Sequence, residues 1–156
     1  ALDKVLSGPR HRRGLELYAD LAGRIADPGL RRSVTALHDH IDQEVRTAVA
    51  RALGGFPHDE TIPVLRLLIV DRVWTVRAQA VASLSRLGER DVVLYREALK
   101  DAAWWVRLRG GLALARAGPD GRNALLAAEV AAHVPARDMA RFILGLAPGA
   151  LAEYQA

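Results

Sequence analysis

Cysteine is absent from the 156 residues, which excludes a disulfide framework, thiolate metal sites and a cysteine nucleophile. Lysine is nearly absent as well, since 20 of the 22 basic residues are Arg. No Gly-rich loop leads into Lys-Ser or Lys-Thr, and no Gly-x-Ser-x-Gly elbow occurs, so neither phosphate-loop nor serine-hydrolase chemistry has a sequence footing. No uncharged apolar run reaches the roughly 18 residues of a bilayer-spanning helix. Aromatic residues are scarce at 5%, which makes the three Trp conspicuous.

A one-sided charge is also missing, despite a pI near 10.1. Net charge is only +4, and the pI is high because guanidinium stays protonated beyond about pH 12. The surplus is spread evenly, with nine basic against seven acidic residues in 1–55, seven against six in 56–100 and six against five in 101–156. That is not the concentrated patch of a nucleic-acid binder, and Arg beside abundant Ala, Leu and Gly fits a composition bias. The chain starts on Ala and carries no secretory pattern, so a trimmed piece of a longer protein, resident in the cytoplasm, is expected. This piece is not expected to insert into a membrane, although the run Arg10-His11-Arg12-Arg13 would suit a position just inside one if the longer protein were anchored.

What is present is a repeat. DRVWTVRAQAVASLSRLG and DAAWWVRLRGGLALARAG align without a gap at an offset of 30 residues, placing Asp71 on Asp101, Trp74 on Trp104, Arg77 on Arg107, Leu84 on Leu114 and Gly88 on Gly118. Val76, Ala80, Leu84 and Leu87, like Val106, Gly110, Leu114 and Ala117, advance at helical spacing, which predicts one buried stripe on a second helix of each unit. Ahead of them Val64, Leu65 and Leu68 map onto Leu94, Tyr95 and Ala98 and onto Ala124, Leu125 and Ala128, which predicts a first helix. Gly88, Gly118, Pro57, Pro119 and Pro148 stand where second helices must stop. Gly110-Gly111 falls inside a predicted helix, where it points to close helix approach and not to a ligand loop.

Extended in both directions, the period predicts an all-α chain of about nine helices. Second helices start near 43, 74, 104 and 136, the first of these after a helix over Pro28 to Ile41. A lone helix from Arg13 to Ala26, with Leu17, Leu21 and Ile25 at spacing four, is expected to cap the stack. Residues 1–9 and about 152–156 are expected to fray, leaving a single domain over 10–156.

Residues 28–148 resemble the HEAT-repeat family, in the short form of about 30 residues also called phycobilisome-lyase-like. The resemblance is carried by an Asp followed six residues later by Val-Arg, then by small and Leu positions and a closing Leu-Gly. It implies an α-α superhelix, with second helices lining the concave side. It also implies a hydrogen-bonded ladder between repeats, carried over onto Asp71, Arg77, Asp101 and Arg107. His40 and Ala131 stand where the outer repeats would need Asp, so the ladder is expected to break there.

Few residues suggest chemistry. His38-Asp39-His40 with Asp42 looks metal-like, but residues two apart on a helix point about 200° apart, leaving only His38 and Asp42 on one face. The His-Glu pairs of HEAT-like metal hydroxylases do not occur. No cofactor, metal or catalytic set is therefore expected. Trp74 and Trp104 open their second helices, with Trp105 next, and Trp is the residue type most often found at binding hot spots. The concave side would present Gln79, Arg86, Arg109, Arg116 and Arg51 beside this Trp edge, with Arg86 and Arg116 energetically ordinary surface residues. The expected function is a non-catalytic scaffold binding another protein. The runner-up is a nucleic-acid binder like the HEAT-like alkylpurine glycosylases.

Overall fold

The computed structural model describes residues 9–56, 59–146, 150 and 154. Among these there are nine α-helices and no strand. The chain divides into two compact units, Ala1–Leu87 and Gly88–Ala156. The first holds α1 (Pro9–Ile25), α2 (Pro28–Thr35), α3 (Gln43–Leu53), α4 (Thr61–Leu68) and α5 (Trp74–Arg86); the second holds α6 (Val92–Ala98), α7 (Trp104–Arg116), α8 (Pro119–Glu129) and α9 (Val134–Gly145). In the first unit α2 packs on α3 and α4 on α5, while α3 lies between α1 and α5. In the second, α6 pairs with α7 and α8 with α9, and α7 also packs on both α8 and α9.

Local chemistry sets the boundaries. Asp27, Asp42 and Asp91 cap α2, α3 and α6, accepting from the amides of Gly29, Glu44 and Leu94 at 2.7, 2.8 and 3.0 Å. Gly88 (φ 83°) and Gly118 (φ 79°) follow α5 and α7 in the left-handed region that a side chain disfavours. The last second helix begins at Val134, two residues ahead of expectation, because Pro135 is tolerated in a first turn and His133 caps it, Nδ1 accepting from Ala136 N at 3.2 Å. The stops expected at Pro57 and Pro148 lie outside the described residues. So do the frayed ends expected at 1–9 and 152–156, save Pro9, which opens α1, and Tyr154.

The predicted stripes form the core. Val76, Ala80 and Leu84 are fully buried in the first unit beside Val45, Val49, Leu53 and Leu65; Val106, Leu114, Leu125 and the Tyr95 ring fill the second. The Tyr95 hydroxyl donates to the Glu89 carbonyl at 2.8 Å, so its polar end is satisfied inside the core. Gly110-Gly111 marks close approach as expected. A Cβ on Gly110 would lie 2.9 Å from Ala98 Cβ on α6, and one on Gly111 2.7 Å from Ile143 Cγ1 on α9.

One expectation is corrected. The first helix of the opening pair ends at Thr35, not Ile41. Residues 36–39 run on as turns, because the polar His38-Asp39-His40 stretch takes up local hydrogen bonds that compete with the helix: His38 Nδ1 lies 3.0 Å from the Thr35 carbonyl. The spacing-four residues of α1 do not form its packing face. Its Leu17, Leu21 and Ile25 are 63, 55 and 66% exposed, and the helix packs instead through Ala19 and Ala22. A Cβ on Gly23 would come within 2.9 Å of Ala52 Cβ, so α1 meets α3 at a separation only small residues permit. Residues two apart lie on opposite sides of a helix, and the Leu stripe is thereby turned outward.

These glycines make a sharp contrast. Gly14 in α1 has open space where a Cβ would go, so Gly14→Ala should stabilise the chain by about 0.5–1 kcal/mol through helix propensity. Gly110→Ala gains the same propensity but must push α6 away, and should destabilise by about 1–3 kcal/mol. Urea denaturation of the two variants checks the opposite signs.

Candidate functional site

Three arginines open successive second helices in one manner. Arg46, Arg77 and Arg107 each donate from Nη1 to the backbone carbonyl six residues earlier, at His40 (2.8 Å), Asp71 (2.7 Å) and Asp101 (2.8 Å). The residue that owns this carbonyl also accepts, through its side chain, from the amide two residues on. Asp71 Oδ1 takes Val73 N and Asp101 Oδ1 takes Ala103 N, both at 2.8 Å, and His40 Nδ1 takes Asp42 N at 3.1 Å. His40 therefore does the work of the repeat aspartate with a neutral imidazole acceptor, and Asp42 is left to cap α3.

The rung expected to break at Arg46 is present. Arg46 forks onto the Asp71 carboxylate of the next repeat, Nε to Oδ2 at 2.7 Å and Nη2 to Oδ1 at 3.0 Å. The two side chains are only 6 and 11% exposed. The sequence expectation failed because it sought the carboxylate in the arginine's own repeat, where only a backbone oxygen is needed. Burial pushes the Asp71 carboxyl upward, but the Arg46 hydrogen bonds, the Val73 amide and the charges of Arg46 and Arg72 outweigh it and hold the group below its ordinary range. The Asp71 hydrogen bond raises Arg46 against its own desolvation.

At the other end the sequence does predict the outcome. Ala131 occupies the aspartate position of the last repeat, and Arg107 Nε, the atom that in Arg46 meets Asp71, is buried without a hydrogen-bond partner. Arg137 Nε is buried without a hydrogen bond as well, and lies 3.5 Å from Asp138.

Trp74 and Trp104 are each 44% exposed at the first residue of α5 and of α7, and Trp105 is 51% exposed. The two positions are equivalent in the repeat. Trp104 and Trp105 meet edge to face, with centroids 4.8 Å apart and planes at 88°. Gln79 is half-buried, Nε2 lying 3.5 Å from Ser83 Oγ. Arg109 reaches the Tyr154 carbonyl at 3.4 Å, and Arg116 is exposed at the end of α7.

Arg86 and Arg116 do not gather beside the tryptophans. Trp74 and Arg86 stand at opposite ends of α5, about 18 Å apart by helical rise, as do Trp104 and Arg116 on α7. Nor is Arg86 a bystander, since it donates from Nε to the Gly54 carbonyl (3.2 Å) and from Nη2 to the Arg51 carbonyl (2.9 Å), satisfying the end of α3. Arg51, expected on the same side, grips Asp20 of α1 at 2.9 and 3.1 Å. These contacts leave a cleft of about 590 Å³ lined by Leu17, Leu21, Arg24, Arg51, Gly54 and Arg86. Sequence reasoning missed Leu17, Leu21 and Arg24. The available signal was a Leu stripe too bulky for the Gly23–Ala52 contact beside it.

A family model for HEAT repeats matches residues 30–115, more than half of the chain, and the chain belongs to the HEAT-repeat family. No curated protein matches it. HEAT repeats commonly mediate protein interactions, and no described helix is long and apolar enough to cross a membrane.

Two tests follow from the rungs. Because the Asp71 carboxyl is held below its unfolded value of about 3.9, its contribution is complete above that pH and is lost as pH falls through the folded value. Asp71→Asn keeps the turn to Val73 but removes the charge; it should cost about 3 kcal/mol at pH 7 and flatten the loss of stability below about pH 4. Ala131→Asp should supply the carboxylate Arg107 lacks and raise stability by about 1 kcal/mol, whereas the same change in an Arg107→Ala background should gain nothing.

Proposed function

We propose that this chain is a non-catalytic interaction module that binds another protein through its second helices, with Trp74, Trp104 and Trp105 as anchors. Gln79, Arg86, Arg109 and Arg116 lie along the same helices as polar contacts. The observation that carries this reading is the matched half-exposure of Trp74 and Trp104 at equivalent repeat positions. An indole left half in water at two successive repeats offers a large, rigid, amphipathic surface whose covering by a partner would release ordered water. On each of the two helices taken by itself, the tryptophan end is the apolar part of the contact and the arginine end its polar part.

A photo-crosslinking residue in place of Trp105 should capture the partner. Trp74→Ala with Trp104→Ala should then weaken its binding by about tenfold or more while helical content stays unchanged. Nucleic acid as the true partner would look different. Duplex binding would persist near 150 mM salt with a steep salt dependence, fall on removal of Arg109 and Arg116, and ignore the tryptophans. That result would displace this reading.

A further inference from the structure

The outward stripe of α1 occupies a position that the rest of its unit covers. With α3 and α5 aligned at an offset of 31 residues, Ala48 and Ala52 match Gln79 and Ser83, and the same step back gives Leu17 and Leu21. Ala48 and Ala52 are 3% exposed, with Ala52 against Gly23 of α1; Ser83 is fully buried, its side chain crowding Gly54, which follows the last residue of α3. The position of Ala52 and Ser83 thus faces the preceding second helix, and that of Ala48 lies one turn before it on the same side. Leu17 and Leu21 face the same way from a helix that has none before it among the described residues.

The arginine register agrees. Position 86 reaches back to the Gly54 carbonyl, and its equivalent at 55 sits directly on the Gly23 carbonyl, so close that only glycine fits. The next equivalent is Arg24. It is exposed and makes no ion pair with a described residue, yet it stands where a guanidinium meets the last carbonyls of a neighbouring helix. Arg13 is exposed on the same flank. The one carboxylate in the cleft, Asp20, is already engaged by Arg51.

We infer that the outer face of α1 is a docking site for an acidic amphipathic helix of a partner protein. That helix lies where a preceding second helix would stack, with its apolar residues on Leu17, Leu21 and Ile25 and its C-terminal turn over Arg24. The charge selects this occupant. A second copy docked α1 to α1 would bring Arg13 and Arg24 against a face with no available carboxylate, and a flat bilayer would not fill a recessed cleft. A helix C-terminus, with unsatisfied carbonyls and the negative pole of its dipole, complements Arg24 even before its acidic side chains are counted. The site uses a different helix from the tryptophan edges and stands or falls without them.

The probe is a fluorescent, hydrocarbon-stapled helix of about four turns, with Leu along one face and Glu beside it, paired with a control carrying Lys for Glu. Fluorescence anisotropy is measured against the full chain. The Glu helix should bind and the Lys helix should not. Leu21→Glu or Arg24→Glu, both at exposed positions where folding is undisturbed, should each weaken binding by about tenfold or more. Arg24→Glu should also shift preference toward the Lys helix, and Trp74→Ala should change nothing. No binding, equal binding of both helices, indifference to both α1 variants, or loss on Trp74→Ala overturns the inference. So does a dimer in sedimentation that Leu21→Glu dissolves, which assigns the face to a second copy. Cosedimentation with phosphatidylserine vesicles that the same variant abolishes assigns it to a membrane.

Discussion

Of the second helices, α3, α5 and α7 each depend on an arginine that fastens the loop in front of it. The guanidinium takes the carbonyl six residues back, and that residue's side chain takes the amide two residues on, so the loop is locked at both ends before the helix begins. The lock stands directly ahead of the first helical residue, where Trp74 and Trp104 emerge, and in Arg46 it leaves the remaining guanidinium nitrogens to reach a neighbour. Between Arg46 and Asp71 that reach becomes a two-pronged, nearly buried ion pair. A charge so placed is retained because its partner is matched to it; removing either side leaves the other stranded in a poorly solvated position.

Much of this was legible in the sequence. Helix number, the second-helix starts at 43, 74 and 104, the buried Val76-Ala80-Leu84 and Val106-Leu114 stripes and the close approach at Gly110-Gly111 all follow from periodicity, which reports burial directly. What was not legible depended on which of two acceptable partners a group would choose. Arg46 looked abandoned because His40 is not an aspartate, yet the contact it makes there is with a backbone oxygen, and backbone is invisible to residue type. Leu17, Leu21 and Ile25 have the spacing of a buried stripe, and Ala19, Ala22 and Gly23 a weaker one. Only the separation between α1 and α3 decides that the smaller set is buried. The tryptophan exposure was likewise open to either reading until the loop geometry fixed it.

On the functional side, the family places the chain among modules that commonly work by contact. The two surfaces differ in character. The tryptophan ends of α5 and α7 occupy equivalent positions in their own repeats. The α1 face occurs once, is flanked by unneutralised arginine, and would suit a single short element.

The empty carboxylate position at Ala131 has a consequence for how the molecule opens. In an array whose members touch only their neighbours, the weakest junction decides where separation starts. Arg107 holds its own loop but offers a buried nitrogen to nothing, so the seam between the α6–α7 pair and the α8–α9 pair lacks the tie that joins Arg46 to Asp71. Amide protons of α8 and α9 should therefore escape to solvent before those of α7, giving the second unit a built-in direction of unzipping.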